Sequence, residues 1–283
     1  RWPGSLQRRP CDHQPVGQIR RWPGAAARAP ESLHGLSTDL RKQLQRASAH
    51  RWVAVRVVAG GNDAIVGTPD AALRAKGRAE WQLAENEVAV LFVGRLSFHA
   101  KANPVALYRA AGEAAKRTGQ KVRILECGWF ANEPTEKAFD EAAQQFGITV
   151  QRVDGRTAVQ VQRSFAAADV FCSLSDNIQE TFGLTPIEAM ASGLPCILSD
   201  WNGYRETAIH GEHGFLIKTQ MPSRTGFESI EQRFADDTLN YDHYIGHVHA
   251  LTSVDIDSVA QALSTLIEQP ALRQRMGQAG RTH

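Results

Sequence analysis

The sequence lacks any apolar run near the roughly 20 residues that a membrane-spanning helix requires, so no such span is expected. Cysteine is scarce: 283 residues hold four, Cys11, Cys127, Cys172 and Cys196. Three of these sit in apolar stretches that read as buried strands. That pattern suits free thiols in a reducing compartment rather than a disulfide framework. The amino-terminal stretch is rich in Arg, Pro and Gly and has no apolar core segment, which excludes a secretory signal there. A cytoplasmic location is therefore expected, with peripheral contact at the inner face of the membrane as its variant. The chain also lacks a Walker loop, a nucleophile elbow with Ser, His and Asp, and an H-E-x-x-H metal motif, so P-loop, serine-hydrolase and zincin chemistry are set aside.

What remains is ordinary globular material, 42% hydrophobic and 22% charged. The net charge of +2 conceals an asymmetry, with +7 in residues 1–51 and −5 in the rest. Residues 1–50 show no helical or strand period and repeat only Arg-Trp-Pro-Gly, at Arg1–Gly4 and Arg21–Gly24. They read as a basic, disordered leader, although a short helix at Ser37–Ala49 and a strand at Trp52–Ala59 are expected. Residues 51–84 read as a remnant or linker, and 85–283 as one domain. A nucleic-acid role is not expected, because the body is mildly acidic and shows no stacking or recognition-helix motif.

From residue 88 strands and helices alternate with short links. Val88–Val93 is a fully apolar run ending at Gly94, as suits a buried parallel strand. A helix from Pro104 is closed by Gly119, and further strands are expected near Val122, Ile148, Val170, Pro195 and Phe215. Such alternation argues for right-handed βαβ units and a parallel sheet covered by helices on both faces, a Rossmann-like α/β fold. Ligands of such sheets sit at the carboxyl ends of the strands, so the loops after Val93, Val153, Leu174 and Ser199 matter most. Beyond Gln220 the chain reads as irregular, polar and aromatic, followed by helices at Ile256–Glu268 and Ala271–Gly280.

The segment Glu180-Thr-Phe-Gly-Leu-Thr-Pro-Ile-Glu188 carries the strongest chemical signal. It opens at the end of a strand and leads into a helix expected to be capped by Thr185, with Pro186 in its first turn. The amides of Gly183 and Leu184 and the helix start beyond form a concave, positive place for a phosphate or a sugar hydroxyl. Gly183 leaves room for close backbone approach. Taken alone, Glu188 would be the capping-box partner of Thr185, and Glu180 a solvated loop carboxylate. A second segment, Phe92-Val-Gly-Arg-Leu-Ser-Phe-His-Ala-Lys101, brings Gly94, Arg95 and Lys101 to the same edge of the sheet. Two cations there can neutralise a diphosphate, Arg95 through its planar fork. The histidines at 210, 213, 243, 247 and 249 have loosely metal-like spacing but no supporting cluster, and read as surface or core residues. Asp154-Gly155 ends a strand and is a weaker candidate for shaping a base pocket.

Together these segments, continuing through Ser199–Glu206 and Gly211–Ile217, resemble the E-x₇-E signature of the glycosyltransferase family 4-like (group 1) enzymes. The likeness runs from about residue 85 to the end of the sequence. It implies the carboxyl-terminal, donor-binding half of the two-Rossmann-domain GT-B fold, and retaining transfer of a sugar from a nucleotide diphosphate sugar to an acceptor hydroxyl. In that family the position of Glu180 contacts hydroxyls of the donor sugar, and that of Glu188 holds the ribose. The Phe182-Gly183-Leu184 backbone lies along the sugar and diphosphate, and Arg95 and Lys101 bind the leaving diphosphate. The loop here has one more residue between Arg95 and Lys101 than the family pattern. No cofactor and no metal are implied beyond the donor substrate. The acceptor, whether glycan, lipid or small molecule, is not named by these residues. Fewer than 90 residues precede the donor domain, so the acceptor-binding domain is expected to be largely missing or to come from a second chain. A module that binds a nucleotide sugar without transferring it is the alternative to an active transferase.

Overall fold

The computed structural model describes residues 70–178, 180, 183–222 and 226–283. The expected helix at 37–49 and strand at 52–59 lie outside them. The described residues form a single seven-stranded sheet in the order β3-β2-β1-β4-β5-β6-β7. Its members are β1 (Val88–Val93), β2 (Val122–Gly128), β3 (Thr149–Asp154), β4 (Val170–Ser173), β5 (Cys196–Asp200), β6 (Gly214–Gln220) and β7 (Ser253–Val254). The first six run parallel, as the alternating pattern predicts. The last pairs antiparallel with β6, Thr219 opposite Val254, so the sheet is not wholly parallel.

Burial on both faces follows from the period of two. In β1, Val88, Val90 and Phe92 point into one core, beside Leu107, Tyr108 and Ala111 of α2 (Pro104–Thr118) and Val259 and Leu263 of α9 (Ile256–Glu268). Ala89 and Leu91 point into the other, with Phe165 of α4 (Ala158–Ala167) and Ala189 and Met190 of α5 (Leu184–Ala191). Helix α3 (Glu133–Gln145) covers β2 and β3 on the first side, and α10 (Pro270–Thr282) packs on α5. Local signals set the ends: Asn103 caps α2 by accepting the Val105 amide at 3.0 Å, and Gly119 closes it in the left-handed conformation.

Two regions differ from the sequence expectation. The segment read as remnant or linker contains helix α1 (Ala71–Glu80), which packs on α4. Arg74 and Arg78 of α1 reach Asp169, at 2.6 and 3.2 Å, and the same carboxylate accepts the Ala89 amide at the start of β1 at 2.8 Å. The stretch beyond Gln220 is not irregular: it contains α7 (Glu228–Ala235) and α8 (Tyr241–Ala250) before β7. Helix α7 buries none of its own residues, so it left no apolar stripe for sequence reasoning to find.

Candidate functional site

Strand order reverses between β1 and β4: the chain leaves β1 toward β2 on one side and β4 toward β5 on the other. The loops after these adjacent strands part, opening a crevice at their carboxyl ends, where a parallel sheet places its ligands. The first loop carries Gly94, Arg95 and Lys101; the second leads through Glu180 to Gly183. The topology thus brings both predicted segments to one place.

Across that crevice Lys101 Nζ lies 2.8 Å from Glu180 Oε2, with the side chains 40% and 11% exposed. A half-exposed ammonium and a largely buried carboxylate hold each other, within reach of solvent. Arg95 is exposed and, among the described residues, has neither an ion-pair nor a hydrogen-bond partner. Gly94 donates its amide to the Cys127 carbonyl at 3.0 Å. Its own carbonyl packs so closely on Gly128 that a Cβ there would come within 2.0 Å, which keeps this edge of the sheet low.

On the β4 side the helix start differs from the expected one. Helix α5 begins at Leu184 with Gly183 as its cap, in the left-handed region at φ 77°, and no side chain caps it. Among the described residues no side chain accepts from the first-turn amides, as an anion site requires. Gly183 is needed for a second reason: a Cβ would meet the Tyr204 ring at 2.2 Å. Leu184 is exposed, and Phe182 lies outside the described residues. The capping box of Thr185 with Glu188 does not form. Glu188 instead stands partly buried without a hydrogen-bond partner among the described residues, and burial alone pushes its carboxyl up to about 7. The idea that Glu188 is tied into a helix cap is thereby overturned.

Several residues that the sequence did not single out hold the loops in place. Tyr204, in the short helix α6 (Tyr204–Thr207), is 1% exposed, and its hydroxyl lies 2.9 Å from Ser173 Oγ at the end of β4. Burial raises its phenol well above the usual value. Trp201 Nε1 donates to the Asn177 carbonyl at 3.1 Å, and Asn177 Nδ2 donates to the His99 carbonyl. Ser199 Oγ donates to the Ser175 carbonyl at 2.6 Å. The loops after β1, β4 and β5 are thus cross-linked by buried polar groups, each acting through a tertiary contact that leaves no local signature.

The remaining candidates have structural roles. His213 is fully buried and accepts the Ile209 amide, and His210 accepts the Leu216 amide. No group of three or more His, Cys, Asp or Glu able to hold a metal ion occurs among the described residues. Asp154 is exposed and engages Arg156 at 2.9 Å. Cys127, Cys172 and Cys196 are buried free thiols, all shifted upward by burial, Cys127 to about 11, and are inert at neutral pH. No helix among the described residues is long and apolar enough to cross a membrane.

Comparison with known proteins gives the same picture. The profile of the glycosyl transferases group 1 family matches residues 74–240, more than half of the chain. The D-inositol 3-phosphate glycosyltransferase of Rhodococcus erythropolis (strain PR4) is 34% identical over 190 residues, which cover 64% of this chain and 41% of that enzyme. The chain spans less than half the length of the curated relatives it matches. Among solved structures, the C-terminal domain of a glycosyl transferase group 1 family protein from Francisella tularensis superposes with a TM-score of 0.55 at 18% identity, covering 78% of this chain and 95% of that one. An Anabaena protein solved in complex with UDP-glucose superposes at 0.54 and 19% identity, covering 78% of this chain and 50% of its own. At these identities the structural likeness carries the fold, the carboxyl-terminal half of the GT-B architecture. The match of the family profile over most of the described sheet, on a chain with this topology, places the protein in the group 1 glycosyltransferase family.

Proposed function

We propose that the chain holds the donor site of a retaining glycosyltransferase that moves a sugar from a nucleotide diphosphate sugar to an acceptor hydroxyl. The observation that carries this is the Lys101–Glu180 ion pair spanning the β1/β4 crevice beside the uncapped start of α5. A cation, a carboxylate and free helix amides stand where a diphosphate and a sugar would meet.

With donor bound, Lys101 and Arg95 would face the diphosphate, joined by the amides at Gly183 and Leu184. Glu180, released from Lys101, would accept from hydroxyls of the sugar, and Glu188 from the ribose. The Phe182 backbone would lie along the sugar. Transfer breaks the bond between the anomeric carbon and the phosphate oxygen and forms one to the acceptor oxygen on the same face. The acceptor proton leaves with the diphosphate. Negative charge grows on the leaving group, and fixed cations and amides stabilise it without reorganisation; one such donor is worth roughly a hundredfold or more in rate. Two side-chain cations supply the charge that a metal would otherwise provide, so the reaction is proposed to need none. The Anabaena neighbour, solved with UDP-glucose, supports a uridine diphosphate sugar as the first donor to try. The name of the Rhodococcus relative, which acts on D-inositol 3-phosphate, supports a polyhydroxylated acceptor. The acceptor-binding half is proposed to come from a further domain or a second chain.

Calorimetry with uridine-, guanosine- and adenosine-diphosphate sugars tests the donor site. Saturable binding to one nucleotide class is expected, lost in Glu188→Ala and Arg95→Ala. Absence of binding to all three, by a folded protein, would overturn the assignment. Binding without turnover on any polyol acceptor would favour a sugar-nucleotide-binding module.

A further inference from the structure

Helix α8 belongs to the stretch that carries no family motif, yet one of its faces touches both loops of the donor crevice. Gly246 and His249 lie one turn apart on that face. A Cβ on Gly246 would sit 4.0 Å from the Cβ of His99, an ordinary contact with the β1 loop. His249 Nδ1 lies 3.0 Å from Asp176 Oδ1 in the β4 loop. The two residues are 9% and 4% exposed, and the two atoms face each other as a close polar contact without a hydrogen-bond partner of good geometry among the described residues. The backbone of Asn103, at the end of the β1 loop, also favours the charged form of the Asp176 carboxylate. Burial raises the Asp176 carboxyl, and the neighbouring His249 works against that rise.

A buried carboxylate reaching one helix and two loops is costly unless its partners stay in place. Here they determine where the donor residues stand. Asn103 closely follows Lys101, and the turn after Asp176 is closed by the Glu180 amide donating to the Asn177 carbonyl at 3.2 Å. Asn177 in turn grips His99 and Trp201. Movement of Asp176 would therefore shift Lys101 and Glu180 together.

We propose that His249 is a positioning residue of the donor site, acting through Asp176 to hold Glu180 in register with the donor sugar and Lys101 with its diphosphate. The role rests on the donor-site reading above. It predicts an asymmetry: the sugar end of the ligand depends on His249 more than the nucleotide end, because the chain of contacts from His249 runs through Asp176 and the Asn177 turn to Glu180.

The test uses the full chain with two variants, His249→Leu, which removes the polar contact, and His249→Asn, whose amide restores a donor near the Nδ1 position. Calorimetry with UDP-glucose and with UDP alone is paired with hydrogen exchange across residues 99–103 and 175–180. In His249→Leu, UDP-glucose affinity should fall at least ~tenfold and UDP affinity by a smaller factor, because Lys101 meets the diphosphate of both ligands while Glu180 meets only the sugar, with faster exchange confined to the two loops. His249→Asn should recover most of both. Equal losses for the two ligands, global exchange, or failure of Asn to rescue would overturn the positioning role while leaving the donor site intact. If the wild type binds neither ligand, the same measurements are made with the guanosine- and adenosine-diphosphate sugars, and binding to none of them overturns the donor-site reading and this role with it.

Discussion

Two carboxylates in the sheet and its helices meet opposite fates, and the contrast separates architecture from function. Glu126 in β2 is 2% exposed, but it is fully engaged: the Tyr108 hydroxyl and the Arg152 guanidinium both donate to it. Arg152 also reaches Asp140 at 2.7 Å and lies over the rings of Phe130 and Phe139. Burial pushes the Tyr108 phenol up to about 12, so it remains a donor throughout the working range. Glu188 in α5 is partly buried without a partner, and burial raises its carboxyl to about 7. A protein tolerates an unsatisfied acidic group where something outside the chain is to satisfy it. The cluster around Glu126 supports the β2–β3 side of the sheet, while the lone Glu188 is what the proposed donor site on the β4 side would satisfy.

Removing each carboxylate should break this comparison in opposite directions. Glu126→Ala leaves Arg152 largely buried without its main partner and should destabilise the fold by about 3–5 kcal/mol, read from denaturant unfolding. Glu188→Gln should do the reverse. In the unfolded chain Glu188 ionises near 4.5, and in the fold only near 7. Folding therefore takes up a proton between these values, and stability falls as pH rises through that window. Gln has no such penalty, so the variant should match the wild type at pH 4 and exceed it at pH 8 by up to about 3 kcal/mol. Its nucleotide-sugar affinity should nevertheless drop. Unfolding curves at the two pH values, beside calorimetry, would check both halves. A Glu188→Gln variant no more stable at pH 8 than the wild type would remove the contrast.

Gly183 sharpens the point on the same side of the sheet. Its φ of 77° and the Tyr204 ring 2.2 Å from any Cβ leave no room for a side chain. Gly183→Ala should cost about 1–3 kcal/mol in thermal unfolding and displace the first amides of α5. Donor affinity should fall further than the stability loss alone accounts for.

Much of this was legible in the sequence, for a physical reason. The inner strands β1, β4 and β5 are short, largely apolar runs, and helices such as α2 and α3 are bounded by Asn, Pro and Gly, so local chemistry and burial agree. Arg95, Lys101, Glu180 and Glu188 stood out because the ligand-facing loops of a parallel sheet carry their chemistry in contiguous segments. The helix start at Gly183 was misplaced because Thr185 and Glu188 fit a capping box locally, while the Tyr204 ring imposes a left-handed glycine. Helices α7 and α8 were missed because the first buries nothing and the second buries Ile245, Val248 and His249 among exposed histidines. The side chains of Asp176, Asn177 and Tyr204 act through partners distant in sequence, His249, His99 and Ser173. Helix α1 was passed over because its anchors are arginines, whose ion pairs with Asp169 form only in the folded chain.

The smallest effect on stability should accompany a large one on binding. The Lys101–Glu180 pair is partly exposed on the Lys101 side, and such pairs are worth about 1 kcal/mol or less. Lys101→Met should therefore leave the melting temperature of the free protein almost unchanged. The same substitution removes a cation from the crevice and leaves the largely buried Glu180 to face the donor diphosphate uncompensated. Like charges that close repel, so nucleotide-sugar affinity should fall by roughly tenfold or more. Reversing the pair with Lys101→Glu and Glu180→Lys would restore their attraction but place the carboxylate on the β1 side, toward the diphosphate. That double variant should fold as well as the wild type and still bind poorly. If it bound normally, the pair would be a fold contact like Glu126 and Arg152, and the two sides of the sheet would no longer differ in kind.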